Sequence, residues 1–275
     1  MPDMTGTIDY AVAGPMTTMN PAHRAALDQI PNDPVGICQL ARHLVVQPTD
    51  TKELGLAEER FTENQLRPVD RIIGALLALD PAPLTVARSC DRRVIGTCRH
   101  FAVLSCALLR YRGIAARARC GFATYFQPGQ GLDHWITEYR HDGRWVRVDS
   151  EILGACHVVR PEDLAAGEFL TGGKAWTALR AGRIDAARFG VYGTENFGPA
   201  EIRGNAVRDL AALNKIEMLP WDEWGRMDAS YQGRTGPEYD RLIDTIADVC
   251  AADDRGAIED LYACEDLAVP AALLR

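Results

Sequence analysis

The dipeptide Asp142-Gly143 is a strong turn signal in the middle of the chain. It joins two short runs, HWITEYR and RWVRVD, that are rich in β-branched and aromatic residues. Asp-Gly favours a two-residue turn in which both residues have positive φ. If the turn holds only these two residues, His141 faces Arg144 and the pairing continues outward from there. The sequence therefore predicts an antiparallel hairpin with a defined register.

The predicted register brings a histidine and two carboxylates together. It sets His134 opposite Glu151 and Ile136 opposite Asp149, so that His134 and Asp149 become diagonal neighbours on one face. A cross-strand spacing of roughly 5–8 Å allows a hydrogen bond between an imidazole and a carboxylate. Glu151 is a rival partner, and a one-residue bulge would change which side chains share a face.

A helix with a cysteine in its first turn is predicted upstream of the hairpin. Thr97 is a capping residue, apolar residues recur at helical spacing after it, and Gly113 is expected to stop the helix, which runs from about Cys98 to Arg112. Free amides and the helix dipole favour the thiolate of Cys98. Burial would instead favour a neutral thiol at Cys106.

These residues together suggest nucleophilic catalysis. A reactive thiolate needs a base, and the base needs an orienting acceptor. Cys98 would attack, His134 would exchange the proton and Asp149 would fix the tautomer of the imidazole. The ordinary alternatives are a buried sulfur, a hydrogen-bonded or surface histidine and a strand-end cap. The combination of all three residues favours a catalytic triad.

The rest of the chain is predicted to surround this central unit. Residues 1–90 look mainly helical, residues 91–160 hold the helix and strands, and residues 161–275 look helical again. Arg117 and Arg119 alternate with small or apolar residues, which predicts a half-buried strand after the central helix. No repeat or linker separates the regions, so we expect an α+β protein that forms one compact unit.

Composition limits the partners and the location. The net charge is −8 and the basic residues are scattered, which argues against nucleic acid. No apolar run is long enough to cross a bilayer, and the N-terminus lacks the pattern of a secretory signal. We therefore expect no membrane partner and a cytoplasmic location. The eight cysteines have irregular spacing without a CxxC pair, so most should be reduced thiols there.

Three motifs resemble a known family. About residues 94–151 resemble the core of the transglutaminase-like superfamily of cysteine enzymes, which includes peptide N-glycanases and bacterial cysteine proteases. The motifs that carry this resemblance are GTCRHFAxLxxALLRxxGIAAR, DHWITEY and GRWVRVD. Other stretches, including ENQLRPVD, are similar to bacterial transglutaminase-like proteins. The resemblance implies a papain-like fold, with a helix packed on an antiparallel sheet. It also implies the triad Cys98, His134 and Asp149, with a thioester formed from an amide or related acyl donor.

The resemblance also suggests further site residues. An oxyanion needs two donors, of which one would be the backbone amide of Cys98. Because papain-like relatives use a glutamine upstream of the nucleophile, Gln65, or its neighbour Asn64, is a candidate for the second, although a polar cluster at a helix end is the commoner role. Trp135 is a candidate wall of the acyl channel, or else a core aromatic.

The sequence thus predicts acyl transfer from, or hydrolysis of, an amide or peptide bond. The substrate would be a peptide or a small amide or acyl compound, with an amine as a candidate acceptor, and no cofactor is predicted. A non-catalytic binding module with the same fold is the alternative. A zinc enzyme is disfavoured because its possible ligands lack the usual spacing; these ligands are Cys98, His100, His134, Cys156 and His157.

Overall fold

The computed structural model describes residues 8–155 and 157–274 and combines helices with a mainly antiparallel sheet. This confirms the predicted α+β class. Within the described residues the α-helices are α1 (Arg24–Leu27), α2 (Pro34–Arg42), α3 (Val69–Leu79), α4 (Cys98–Tyr111), α5 (Gly172–Arg180), α6 (Pro199–Leu213), α7 (Met227–Tyr231), α8 (Pro237–Ala252) and α9 (Arg255–Tyr262). The strands are β1 (Val45–Val46), β2 (Val94–Ile95), β3 (Ala116–Ala123), β4 (Gly131–His141), β5 (Arg144–Val148), β6 (Phe169–Thr171) and β7 (Phe189–Gly190).

The strands form two sheets. The larger has the order β5-β4-β3-β6, and β7 pairs in parallel with β4. Strands β1 and β2 form a separate parallel pair. None of the helices in the described part of the chain is long and apolar enough to cross a membrane.

Two compact units can be distinguished along the chain. One comprises residues 8–9, 119–135 and 165–274, and the other comprises residues 10–118 and 136–164. Strands β3 and β4 contribute residues to both. The division into three consecutive regions within one compact unit stays a prediction.

The hairpin is confirmed with the predicted register. Strands β4 and β5 pair from His141 opposite Arg144 to Thr137 opposite Val148. Asp142 and Gly143 form the turn with φ of 46° and 76°, the positive values that such a two-residue turn requires. Local turn chemistry therefore sets the register of the strand that carries the predicted base.

Helix α4 also forms as predicted. Thr97 takes part in a capping box with His100, whose Nδ1 accepts a hydrogen bond from the Thr97 backbone at 3.1 Å. The helix begins at Cys98, ends at Tyr111 and is followed by Gly113 with φ of 73°. This boundary leaves Cys98 in the first turn.

Strand β3 forms, but the prediction that it is half-buried is wrong, because all of its residues are buried. Arg117 donates to Glu138 at 2.8 Å, and Arg119 binds Asp209 through two hydrogen bonds of 2.9 and 2.7 Å. Buried charges need such partners. The alternation therefore identified a strand, whereas its arginines lie in ion pairs that no local pattern specifies.

Candidate active site

Cys98 is the first residue of α4 and is only 7% exposed. Its Sγ, one ring nitrogen of His134 and one carboxylate oxygen of Glu151 all lie within 4.8 Å of one another. The structure therefore brings together a candidate nucleophile, a candidate base and an acid from three separate parts of the sequence.

The acids follow the hairpin directly. Asp149 and Glu151 come after the last residue of β5, so they lie in the segment that leaves the strand. Asp149 is fully buried, and its Oδ1 accepts a hydrogen bond of 3.0 Å from the backbone amide of Glu151. The backbone amide of Asp149 donates to the Pro161 carbonyl at 2.9 Å. Asp149 therefore fixes the backbone at Glu151 as well as contributing a carboxylate.

The position of the Glu151 carboxylate bears on which acid can orient His134. An orienting carboxylate binds the ring nitrogen remote from the nucleophile. The imidazole ring would then lie between the sulfur and the carboxylate, with the sulfur against one nitrogen and the carboxylate against the other. The distance between sulfur and carboxylate would be well beyond 4.8 Å. Glu151 instead lies within 4.8 Å of the sulfur as well as of the ring nitrogen. The Glu151 carboxylate is thus close to both the sulfur and the imidazole, and the assignment of Asp149 or Glu151 as the orienting acid stays a prediction.

A buried hydroxyl pair links the acidic segment to α4. The Oγ atoms of Ser105 and Ser150 are 2.7 Å apart, and Ser105 also donates to the Phe101 carbonyl at 2.8 Å. Ser150 lies between the two acids in sequence. This hydrogen bond therefore holds the segment that carries both acids against the helix that begins at Cys98.

Two aromatic rings border His134, and the sequence analysis missed them. The Phe126 ring lies 5.1 Å from the imidazole at an interplanar angle of 75°, and the Tyr125 ring lies 6.3 Å away at 85°. The two rings are 4.7 Å apart, and both are half-buried. The available signal was the pair of large aromatic residues at the start of a loop that continues with Pro128-Gly129.

Another histidine in the first turn of α4 has a structural role. His100 is fully buried, and its Nδ1 accepts the Thr97 amide in the capping box. Burial, together with the charge of Arg99, lowers the pKa of His100 to about 3. A neutral imidazole that already caps the helix is poorly suited to exchange protons near neutral pH.

The residue before His134 belongs to a polar cluster. Asp133 accepts a hydrogen bond of 2.8 Å from Asn205, whose own amide oxygen accepts from Arg208 at 3.1 Å. Burial and the nearby Glu201 carboxylate raise the pKa of Asp133 to about 6. An acid next to His134 in β4 therefore titrates in the range in which histidines usually titrate.

The remaining predicted site residues have different surroundings. Gln65 is exposed, and its amide donates to Asn64 at 2.9 Å. Trp135 is 1% exposed, and its Nε1 has no hydrogen-bond partner among residues 8–155 and 157–274. Their roles as an oxyanion donor and a channel wall stay predictions.

The same cluster could also hold a metal ion. Cys98, His134 and Glu151 supply sulfur, nitrogen and oxygen donors of the kinds that bind Zn²⁺. Only Cys98 and His134 belong to the zinc set considered from the sequence. Cys156 of that set lies outside the described residues.

Comparison with known proteins identifies the class of this segment. Residues 79–150 match the model of the transglutaminase-like superfamily. This range, about a quarter of the chain, includes Cys98, His134 and Asp149. The match supports a transglutaminase-like domain in this part of the chain.

Other comparisons add little. No curated protein matches the chain. Among solved structures, a candidate cysteine protease from Cytophaga hutchinsonii is similar at 16% identity, with 59% of this chain and 56% of that chain covered and a TM-score of 0.20. This chain thus spans just over half of that protein, and a similarity so weak carries no argument about the reaction.

Proposed function

We propose that this protein is a cysteine-dependent acyltransferase or amide hydrolase that works through a thioester on Cys98. The observation that carries the proposal is the position of the Cys98 sulfur, at the start of an α-helix and within 4.8 Å of a ring nitrogen of His134. The transglutaminase-like match over residues 79–150 supports it, because this superfamily usually consists of cysteine enzymes.

The first half of the reaction forms the thioester. The thiolate of Cys98 attacks the carbonyl carbon of an amide, forming a C–S bond while the carbonyl electrons move to oxygen. The oxyanion then collapses, the C–N bond breaks, and the imidazolium of His134 gives its proton to the leaving amine. The backbone amide of Cys98 is the proposed first donor to the oxyanion, and Gln65 is a candidate for the second.

The second half releases the acyl group. Water or a second amine attacks the thioester carbon and loses its proton to His134, and the C–S bond breaks to restore Cys98. Asp149 is the proposed partner that fixes the His134 tautomer and stabilises the imidazolium. We propose a peptide or a small amide as the donor, in the reducing environment of the cytoplasm, where the thiol is maintained.

Acylation by a small active ester tests this proposal. The protein is mixed with p-nitrophenyl acetate, and acetylation is located by peptide mass mapping. The exposed Cys264 is replaced by Ser in every variant, since an exposed thiol reacts on its own. We expect one acetyl group per chain on Cys98, released by hydroxylamine, and its loss in Cys98→Ala. Cys250→Ala, which removes a buried thiol from α8, is the matched control. Equal acetylation of Cys98→Ala would contradict the proposal.

The donor set of the cluster favours a second candidate, metal binding. A zinc protein would contain about one equivalent of tightly bound Zn²⁺ after purification, lost in Cys98→Ala and in Glu151→Gln. A metal assay on the purified protein separates this candidate from the cysteine enzyme. A binding module would show neither acetylation of Cys98 nor stoichiometric metal.

A further inference from the structure

Two rings in the loop between β3 and β4, Tyr125 and Phe126, lie against the imidazole of His134. Both rings are in edge-to-face or tilted contact with their neighbours, a favourable aromatic geometry. Both are half-buried, so each keeps part of its surface open to solvent. Apolar surface that stays accessible beside a candidate base is available to contact a substrate.

The loop that carries the rings is anchored at both ends. At its start, the Thr124 amide donates to the Glu168 carbonyl at 3.0 Å, and the Thr124 hydroxyl donates to the Gly167 carbonyl at 2.9 Å. At its end, the Gly129 carbonyl accepts a hydrogen bond from Arg188 at 3.3 Å, and Gly131 pairs with Phe189 of β7. The rings are therefore held in place before substrate arrives, which lowers the entropic cost of binding.

The chemistry of the proposed reaction indicates which part of a substrate meets these rings. His134 must come within hydrogen-bond distance of the leaving atom to give it a proton. The acyl carbon is meanwhile bonded to Cys98. Groups that contact the imidazole therefore border the leaving group, and by reversal of the same step they border the incoming acceptor.

We infer that Tyr125 and Phe126 form a recognition surface for the leaving group, and that this enzyme favours acyl donors whose leaving group is aromatic or otherwise apolar. The inference rests on the proposed function of Cys98 and His134. When the thioester forms, a C–S bond forms at Cys98 and the bond to the leaving group breaks. The leaving group departs with a proton from His134. Apolar contacts with a substrate group give roughly ten- to hundredfold discrimination.

Two acetyl thioesters that differ only in the leaving thiol test the inference. One releases phenylmethanethiol and the other releases 2-hydroxyethanethiol. Both leave the same acetyl group on Cys98, so the rate of acetylation is read by intact-protein mass in the Cys264→Ser background. Each rate is divided by the rate of the same thioester with free cysteine, which removes differences in intrinsic reactivity. We expect a corrected preference for the phenylmethyl thioester of about tenfold or more.

Substitutions at Phe126 test whether the aromatic rings cause the preference for the phenylmethyl thioester. Phe126→Ala should lower the corrected ratio to near one, and Phe126→Leu, which keeps apolar bulk, should give an intermediate value. Tyr192→Ala removes a tyrosine that is 64% exposed elsewhere and should leave the ratio unchanged. A ratio near one in the unsubstituted protein, or an unchanged ratio in Phe126→Ala, would overturn the inference. If neither thioester acetylates Cys98 faster than free cysteine, the proposed function is contradicted and the inference falls with it.

Discussion

Two cysteines of the same compact unit, Cys98 and Cys38, differ sharply in what surrounds their sulfur atoms. Both are buried, at 7% and 0% exposure. Cys98 begins α4 and has an imidazole and a carboxylate within 4.8 Å. Cys38 lies in α2, where its thiol meets the hydroxyls of Ser105 and Ser150, and burial raises its pKa to about 12.

The difference shows that burial alone does not determine the chemistry of a thiol. Removing a sulfur from water disfavours the thiolate, and two neutral hydroxyls only partly offset this at Cys38. A helix N-terminus and an ionisable imidazole act in the opposite direction at Cys98. We therefore expect the reactivity of Cys98 to depend on the groups around its sulfur rather than on its exposure.

The largest effect is expected on the acylation rate of Cys98, which should distinguish the roles of the two acids that follow β5, Asp149 and Glu151. Because the Glu151 carboxylate lies within 4.8 Å of the Cys98 sulfur, closer than a carboxylate bound to the far ring nitrogen would be, we expect Asp149 to orient His134. Asp149→Asn should lower the acylation rate of Cys98 by roughly a hundredfold or more. Glu151→Gln should lower it by less than about tenfold, because removing a nearby charge changes the pKa of the imidazole without removing the hydrogen bond that orients it. Rates of acetylation by p-nitrophenyl acetate measure both. A larger loss of acylation rate in Glu151→Gln than in Asp149→Asn would instead assign the orienting role to Glu151.

The second prediction concerns acid stability of the Cys98 helix. Burial holds the pKa of His100 at about 3, below the value of about 6.5 expected in an unfolded chain. The unfolded chain therefore binds more protons between these values, so stability is present above pH 6.5 and is lost as pH falls towards 3.

His100→Gln should reduce this loss, since glutamine can keep the capping box and does not titrate. We expect a smaller drop in melting temperature between pH 7 and pH 4.5 than in the unsubstituted protein. His141→Gln, which removes an exposed histidine, is the control. If both variants show the same drop as the unsubstituted protein, His100 is not the source.

The smallest effect is expected at the hydroxyl pair beside Cys38. Ser150→Ala removes the 2.7 Å contact with Ser105 and should lower the free energy of unfolding by about 1–3 kcal/mol. Urea denaturation of Ser105→Ala, Ser150→Ala and the double variant gives the coupling energy between them. Strict additivity would show that the contact contributes nothing of its own.

Structural features that depend on neighbouring residues could be predicted from the sequence, whereas features that depend on distant residues could not. Asp142-Gly143 and Thr97 act on their immediate neighbours, so the hairpin register and the start of α4 were predictable, and with them the placement of Cys98 and His134. The burial of Arg117 and Arg119 depends on Glu138 and Asp209, of which the second is distant in sequence. A period-two pattern cannot show that both faces of a strand will be covered.

The same limit applies to the site. The register predicted Asp149 and Glu151 as alternative partners of His134, but it could not predict that the Glu151 carboxylate lies within 4.8 Å of the Cys98 sulfur. Their segment leaves β5, so its path depends on contacts with Ser105 and Pro161 rather than on strand pairing. The contact of Tyr125 and Phe126 with His134 was missed because it depends on the path of a loop.

The reactivity of each cysteine towards an alkylating reagent shows whether Cys98 is an activated thiolate. The protein is treated with iodoacetamide across pH 6–9, with and without His134→Ala, and each thiol is followed by peptide mass mapping. Near pH 7 we expect Cys98 to react at least about tenfold faster than the exposed Cys264, and His134→Ala to remove this advantage. Cys38 should stay unmodified while the protein is folded. If Cys98 reacts no faster than Cys264, or equally fast in His134→Ala, Cys98 is not activated by His134.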